Sequence, residues 1–182
     1  MNVKSILYTF LLLVTASSCG SNSTSQEQQQ SVQMQSADAS VHRTDAYDYS
    51  DSVMMGSHKI VYSLHREADD SLKSVVDENG ETYIDNYYDL KVTKDGAQLF
   101  AHRFTKVSFQ SYLDKGFVKN GILDGFRFIS AHEGMVTFGA CISYPESDMS
   151  APFIITIGPD GSHTIQPDNL MDVEEETDTA SI

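Results

Sequence analysis

Apolar and polar positions alternate with a period of two through most of the body of this 182-residue chain. In His58–His65 the residues Ile60, Tyr62 and Leu64 fall on one side, the pattern of a strand with one wet face. Glu78-Asn79-Gly80-Glu81 then separates Leu72–Asp77 from Thr82–Leu90, and Asn-Gly between strand-like runs signals a hairpin. Lys94-Asp95-Gly96 separates Tyr87–Thr93 from Ala97–Phe104 in the same way, with Phe100, His102 and Phe104 on one face. A third hairpin is predicted from Phe126–Ser130 and Met135–Tyr144 around Ala131-His132-Glu133-Gly134. A fourth joins Pro152–Ile157 to Ser162–Ile165 through Gly158-Pro159-Asp160-Gly161. The period changes once. Thr105 reads as an N-cap, Val107, Phe109, Tyr112 and Leu113 as one side of a helix over Lys106–Lys115, and Gly116 as its end. Phe117–Leu123 adds a second turn between Gly121 and Gly125. The pattern predicts a mostly antiparallel β fold, a sandwich or partly open barrel of hairpins, with one short α-helix.

Both ends depart from this pattern. Lys4, the apolar run Ile6–Val14 and the small residues Ala16-Ser17-Ser18 describe a secretory signal over residues 1–18. The run is about half of the roughly 20 apolar residues that a membrane crossing needs. Cys19 follows directly. Ala16-Ser17-Ser18-Cys19 resembles the cleavage site of bacterial lipoproteins, with Ala16 where the usual pattern has Leu. The resemblance implies cleavage before Cys19 and lipid on its sulfur, each buried methylene contributing about 0.8 kcal/mol to anchorage. Residues 19–52 are rich in Ser, Gln, Asn, Thr and Asp, and include Gln26-Glu27-Gln28-Gln29-Gln30. They read as a disordered tether reaching roughly 30 Å, with the β-rich domain over 53–169 and an acidic tail over 170–182. Asp45, Asp48 and Asp51, three apart near the end of the tether, read as part of that solvated linker.

Charge narrows the partners. The chain carries 26 acids against 12 bases, and loss of Lys4 with the signal leaves a net charge of −15. That excludes a nucleic-acid surface, which needs Lys/Arg clusters, and electrostatic docking on anionic lipid. With Cys19 lipidated, Cys141 has no partner for a disulfide and reads as a buried, inert thiol in Val136–Ile142.

Motif chemistry is sparse. The chain has no Gly-x-Ser-x-Gly elbow and no Ser-x-x-Lys. Gly134 and Gly139 have phosphate-loop spacing, but Ala140-Cys141 replaces the required Lys-Ser/Thr. His132-Glu133 lacks the second histidine of a zinc motif. His102 reads as a core histidine between Phe100 and Phe104, and His58 and His65 fall on opposite faces of one strand. Asp77, Glu78, Glu81, Asp85 and Asp89 are dense enough to suggest calcium, yet the position of Gly80 does not fit an EF-hand loop. Tyr83, Tyr87 and Tyr88 could stack on sugars, although strand alternation explains them and the chain has no Trp. No cofactor is implied.

Phe104–Phe109, Phe117–Gly125, Ile142-Ser143-Tyr144-Pro145-Glu146-Ser147-Asp148, Phe153–Ile157 and Gly158–Gly161 together resemble a family of small Bacteroidetes lipoproteins known only as a domain of unknown function. The likeness spans roughly Val53–Asn169. It implies a location and a domain extent and carries no catalytic residues. The resulting expectation is an envelope lipoprotein held to the membrane by Cys19, favoured on the periplasmic side of the outer membrane because Gly20–Thr24 has no acidic run. Its domain is expected to be non-catalytic and to bind an envelope protein or a small molecule, with Tyr144, Pro145 and Asp148 in the Tyr144–Ala151 loop as the first candidates. A lipocalin-like carrier of an apolar ligand is the alternative; a glycan-binding or hydrolytic accessory protein is the weaker one.

Overall fold

The computed structural model describes residues 40–168. The signal, Cys19 and the acidic tail lie outside the described residues. Two four-stranded antiparallel sheets form a sandwich. The first has the order β2(Tyr47–Met55), β3(His58–Ala68), β6(Asn86–Lys94), β7(Ala97–Phe104). The second has the order β11(His163–Pro167), β10(Ser150–Ile157), β9(Met135–Ser143), β8(Ile122–His132). A small third sheet pairs β1(Val41–His42) parallel to β5(Thr82–Tyr83), which pairs antiparallel to β4(Val75–Val76). Among the described residues no helix is long and apolar enough to cross a membrane.

Alternation places the core. Ile60, Tyr62 and Leu64 on β3, Tyr88, Leu90 and Val92 on β6, and Val136, Phe138, Ala140 and Ile142 on β9 all point between the sheets. Phe104, Phe109, Phe138 and Phe153 are fully buried there. The four predicted hairpins are all present. Two turn on residue pairs with positive φ, Asp95 (52°) with Gly96 (83°) and Glu133 (52°) with Gly134 (84°), the geometry that matches strand twist in two-residue hairpins.

Several expectations are corrected. The tether does not run to Ser52, because Tyr47–Met55 is paired with β3 throughout, turning at Gly56 (φ 62°). Asp48 and Asp51 are therefore strand residues and Asp45 just precedes them. The predicted α-helix is a 3₁₀ helix over Lys106–Tyr112, followed by α1(Lys115–Asn120). Ser108 Oγ accepts from the Thr105 N–H at 3.2 Å, so Thr105 caps it as expected. With three residues per turn, Lys106 and Phe109 face inward and Val107 is 69% exposed. Gly116 lies inside α1, which starts at the Asp114 cap and stops at Gly121; Ile122 and Leu123 belong to β8 instead of a second turn. His102 shares a face with Phe100 and Phe104 but is exposed at the rim, 5.1 Å from the His163 ring. Cys141 is half-buried on the outer face of β9, with Ser143 Oγ at 3.4 Å. Tyr83, Tyr87 and Tyr88 are buried and offer no open sugar platform.

A buried polar knot ties these layers together. Asp85 Oδ1 accepts from the N–H groups of Leu123 (2.8 Å) and Asn86 (2.9 Å), and Oδ2 lies 3.4 Å from Lys106 Nζ. Lys106 also donates to the Gly121 carbonyl, and Asn86 Nδ2 donates to the Leu123 carbonyl at 3.0 Å. Burial pushes the Asp85 carboxyl up, while the Leu123 N–H and Lys106 pull the other way. Four of the five acids considered for calcium have other surroundings. Asp77 accepts from the Asn79 and Glu81 N–H groups, Glu81 meets His42, Asp85 is buried, and Asp89 takes Arg103 through two bonds of 2.7 and 2.8 Å.

On the outer face of the first sheet, His65 Nδ1 lies 2.9 Å from Asp48, and its Nε2 lies 3.3 Å from the Tyr87 hydroxyl, which donates to Glu67 at 2.6 Å. Asp48, and less strongly Glu67, hold the His65 imidazole above its ordinary value despite some burial. A base with a raised folded-state pKa contributes stability that is complete below about 6.5 and lost as pH rises through the folded value. The stability difference between wild type and His65→Gln is therefore expected to grow as pH falls from 8 to 6 in chemical denaturation. It then shrinks in more acid solution, because Glu67, lowered first by Tyr87, loses its contribution as it protonates. A pH-independent difference would remove His65 as the titrating group.

Candidate functional site

The β9–β10 loop is the best-formed surface feature near the predicted residues. The Tyr144 N–H donates to the Met149 carbonyl at 3.0 Å, and Ser147 Oγ accepts from the Met149 N–H at 3.1 Å, so the loop closes on itself. Pro145 restricts its own φ, and Glu146 follows in the left-handed region at φ 51°. The Tyr144 ring meets Phe117 of α1 edge-on at 4.9 Å. Gly116 makes room for it, since a Cβ there would lie 2.5 Å from the Tyr144 hydroxyl.

Tyr144-Pro145-Glu146 forms a wall between two clefts. One, of about 290 Å³, is lined by His42, Arg43, Tyr83, Asp124 and this wall. The other, of about 530 Å³, is lined by the Val75–Asn79 turn, Lys119, Asn120 and the other side of the loop. Of the predicted residues, the structure brings together Tyr144 and Pro145. Asp148 is exposed and lines neither cleft.

Strand β1, added to the β4–β5 hairpin, supplies what sequence reasoning missed. The His42 ring stacks on Tyr83 at 4.6 Å and 14°, and its Nε2 lies 2.6 Å from Glu81 Oε2. The Tyr83 hydroxyl donates to the same oxygen at 3.4 Å. Burial raises the Tyr83 phenol, and the charges of Asp77, Glu146 and Glu81 raise it further, which marks a negative potential at this cleft. His42 lay in a segment with no periodic pattern, so no sequence signal pointed to it. Tyr83 was visible, but as one of three tyrosines.

Chemically, the cleft combines an aromatic floor with carboxylates and one imidazole. The His42–Glu81 pair is an imidazole oriented by a carboxylate, a form that can accept a proton from a group held in the cleft. Thr44, Tyr83, Ser143 and Tyr144 supply the hydroxyls of this cleft, and Ser143 Oγ lies 3.4 Å from Cys141 Sγ. Among the described residues, no group of three or more His, Cys, Asp or Glu is placed to hold a metal ion.

A family model described as Domain of unknown function (DUF4738) matches residues 26–165. The chain belongs to this family. No curated protein matches it. The DUF4738 match takes in both walls of the cleft, from His42 on β1 to Tyr144 after β9, and ends within β11. It also begins well before Val53, so DUF4738 includes much of the stretch expected to be a tether.

Proposed function

We propose that this DUF4738 chain is an exported, lipid-anchored envelope protein whose sandwich binds a small molecule or an envelope protein at the Tyr144–Glu146 wall, without catalysis. The observation that carries the binding site is one three-residue wall, in a loop closed by the Tyr144–Met149 hydrogen bond, that serves two clefts and is buttressed by Phe117 with Gly116 making room. The anchor rests on the signal-like Met1–Ser18 and on Cys19, and the absence of an acidic run in Gly20–Thr24 favours the periplasmic side of the outer membrane. A lipocalin-like carrier would need an internal cavity; here the space between the sheets is taken by Phe104, Phe109, Phe138 and Phe153.

Two measurements test this reading. Metabolic labelling with palmitate is expected to mark the wild-type chain and not Cys19→Ala, which should leave the membrane fraction. Equal labelling of both would remove the anchor. A fragment screen read by NMR is expected to give hits that shift the His42 and Tyr144 resonances and weaken at least tenfold in Tyr144→Ala. Hits confined to other surfaces would remove the site.

A further inference from the structure

We propose that the edge of β2, which pairs with no further strand among the described residues, accepts an extended, basic segment of a partner protein as an added strand. A sandwich of two open sheets has four edges, and three of them here are protected. β7 is bulged opposite Val92 and Thr93, and β8 is bulged at two points, between Leu123 and Gly125 and between Phe128 and Ser130. β11 has five residues and ends on Pro167. Bulges, brevity and proline are the usual means of blocking edge pairing. β2 has no bulge, Pro or Lys: its nine residues run in unbroken register with β3, from Tyr47↔Arg66 to Met55↔His58, and its charges are Asp48 and Asp51, which repel an acidic strand and leave the edge open to a basic one.

The register shows which backbone groups are open. The two-residue turn at Gly56-Ser57 makes Met55 and His58 a hydrogen-bonded pair, so Val53, Asp51, Tyr49 and Tyr47 bond toward β3. Met54, Ser52, Ser50 and Asp48 therefore direct their N–H and C=O groups away from the sheet. The Ser52 N–H is taken by its neighbour's carboxylate, Asp51 Oδ1, at 2.6 Å. That side chain occupies the place an added strand's carbonyl would fill.

Side chains specify the partner's charge. Tyr47 and Tyr49 are exposed and stacked, 6.3 Å apart at 7°, with Asp51 beyond them on the same face. Arg66 already lies over the Tyr47 ring at 5.7 Å from the β3 side, showing that this face takes a guanidinium. The opposite face carries Asp48, whose side chain is 83% exposed. A strand added about 4.8 Å away sets its alternate side chains beside both faces, so Lys or Arg on either face meets a carboxylate. A second copy of this chain fits poorly. Pairing β2 with β2 brings aspartates together between molecules that each carry a net charge of −14.

The probe is a fluorescein-labelled nine-residue peptide of alternating Lys and Thr/Val, with two controls: the same peptide with Glu for Lys, and the Lys peptide methylated at alternate backbone nitrogens. Anisotropy with the full chain is expected to show saturable binding of the Lys peptide and at least tenfold weaker binding of both controls. Hydrogen exchange is expected to slow at Ser50, Ser52 and Met54. Asp48→Lys with Asp51→Lys, with an unchanged far-ultraviolet circular dichroism spectrum as the check on the fold, is expected to reverse the charge preference. Equal binding of the methylated peptide, which reduces the effect to general electrostatics, overturns the proposal. So does protection on another edge, absence of binding, or a sedimenting dimer that protects the same amides.

Discussion

Asp85→Ala is expected to destabilise the sandwich by about 3–5 kcal/mol, the range for removing one partner of a buried ion pair. In a domain of this size that is a fall of roughly 15 °C in Tm. The substitution removes three interactions at once. Lys106, itself buried, keeps only the Gly121 carbonyl, and the Leu123 and Asn86 N–H groups lose their acceptor. Asp85→Asn retains one acceptor oxygen and is expected to lose less. The pH dependence adds a separate check. Because burial holds the Asp85 carboxyl above its ordinary value, its ionised form is the disfavoured one, so wild type should gain on Asp85→Asn as pH falls through that range. Asp89 behaves oppositely: Arg103 holds it low, and its contribution, present above about pH 4, is lost in acid. Thermal melts across pH read both. A loss below 1 kcal/mol in Asp85→Ala would mean that the knot is hydrated and does not join the sheets.

The hairpins were legible because turn and strand chemistry agree. Asp95-Gly96 and Glu133-Gly134 adopt the positive φ values that their glycines announce, and the stretches next to the turns, Leu90–Thr93 and Met135–Phe138, alternate. β2 was illegible because it is an edge. Seven of its nine residues are exposed, so Asp and Ser occupy positions that a central strand fills with Val or Ile. Of the small sheet, the β4–β5 hairpin was legible from Asn79-Gly80, and β1 was missed because a two-residue strand is too short to show a period. The 3₁₀ helix was mistaken for an α-helix because Phe109 and Tyr112 fit both spacings; Lys106 decides it, and a lysine gives no sign of being buried. The polar pair Asp85-Asn86 inside the apolar run Tyr83–Tyr88 was the one available hint of the knot. For the site, the loop was legible from Tyr144 and Pro145. Its partner wall was not, since His42 reaches it only through the parallel pairing of β1 with β5.

Phe138→Ala is expected to cost about 3–5 kcal/mol, the usual range for a buried aromatic truncated to Ala. The ring is fully buried at the centre of β9. It meets Tyr62 of the opposite sheet edge-on at 5.5 Å, Phe128 at 5.8 Å and Phe126 at 6.0 Å. Strand backbones on both sides are held by their ladders, so the hole cannot close fully. Phe138→Leu keeps most of the volume and should lose far less, which separates packing from mere hydrophobicity. Chemical denaturation measures both. The pair also bears on function, because the sandwich is either a solid body that presents surface clefts or a container. If it is solid, benzene should bind Phe138→Ala, whose new cavity is of the size of the deleted ring, and leave wild type unbound. Uptake by wild type, with Phe138→Ala losing under 1 kcal/mol, would show an interior already open to ligands and would turn the functional reading toward a carrier.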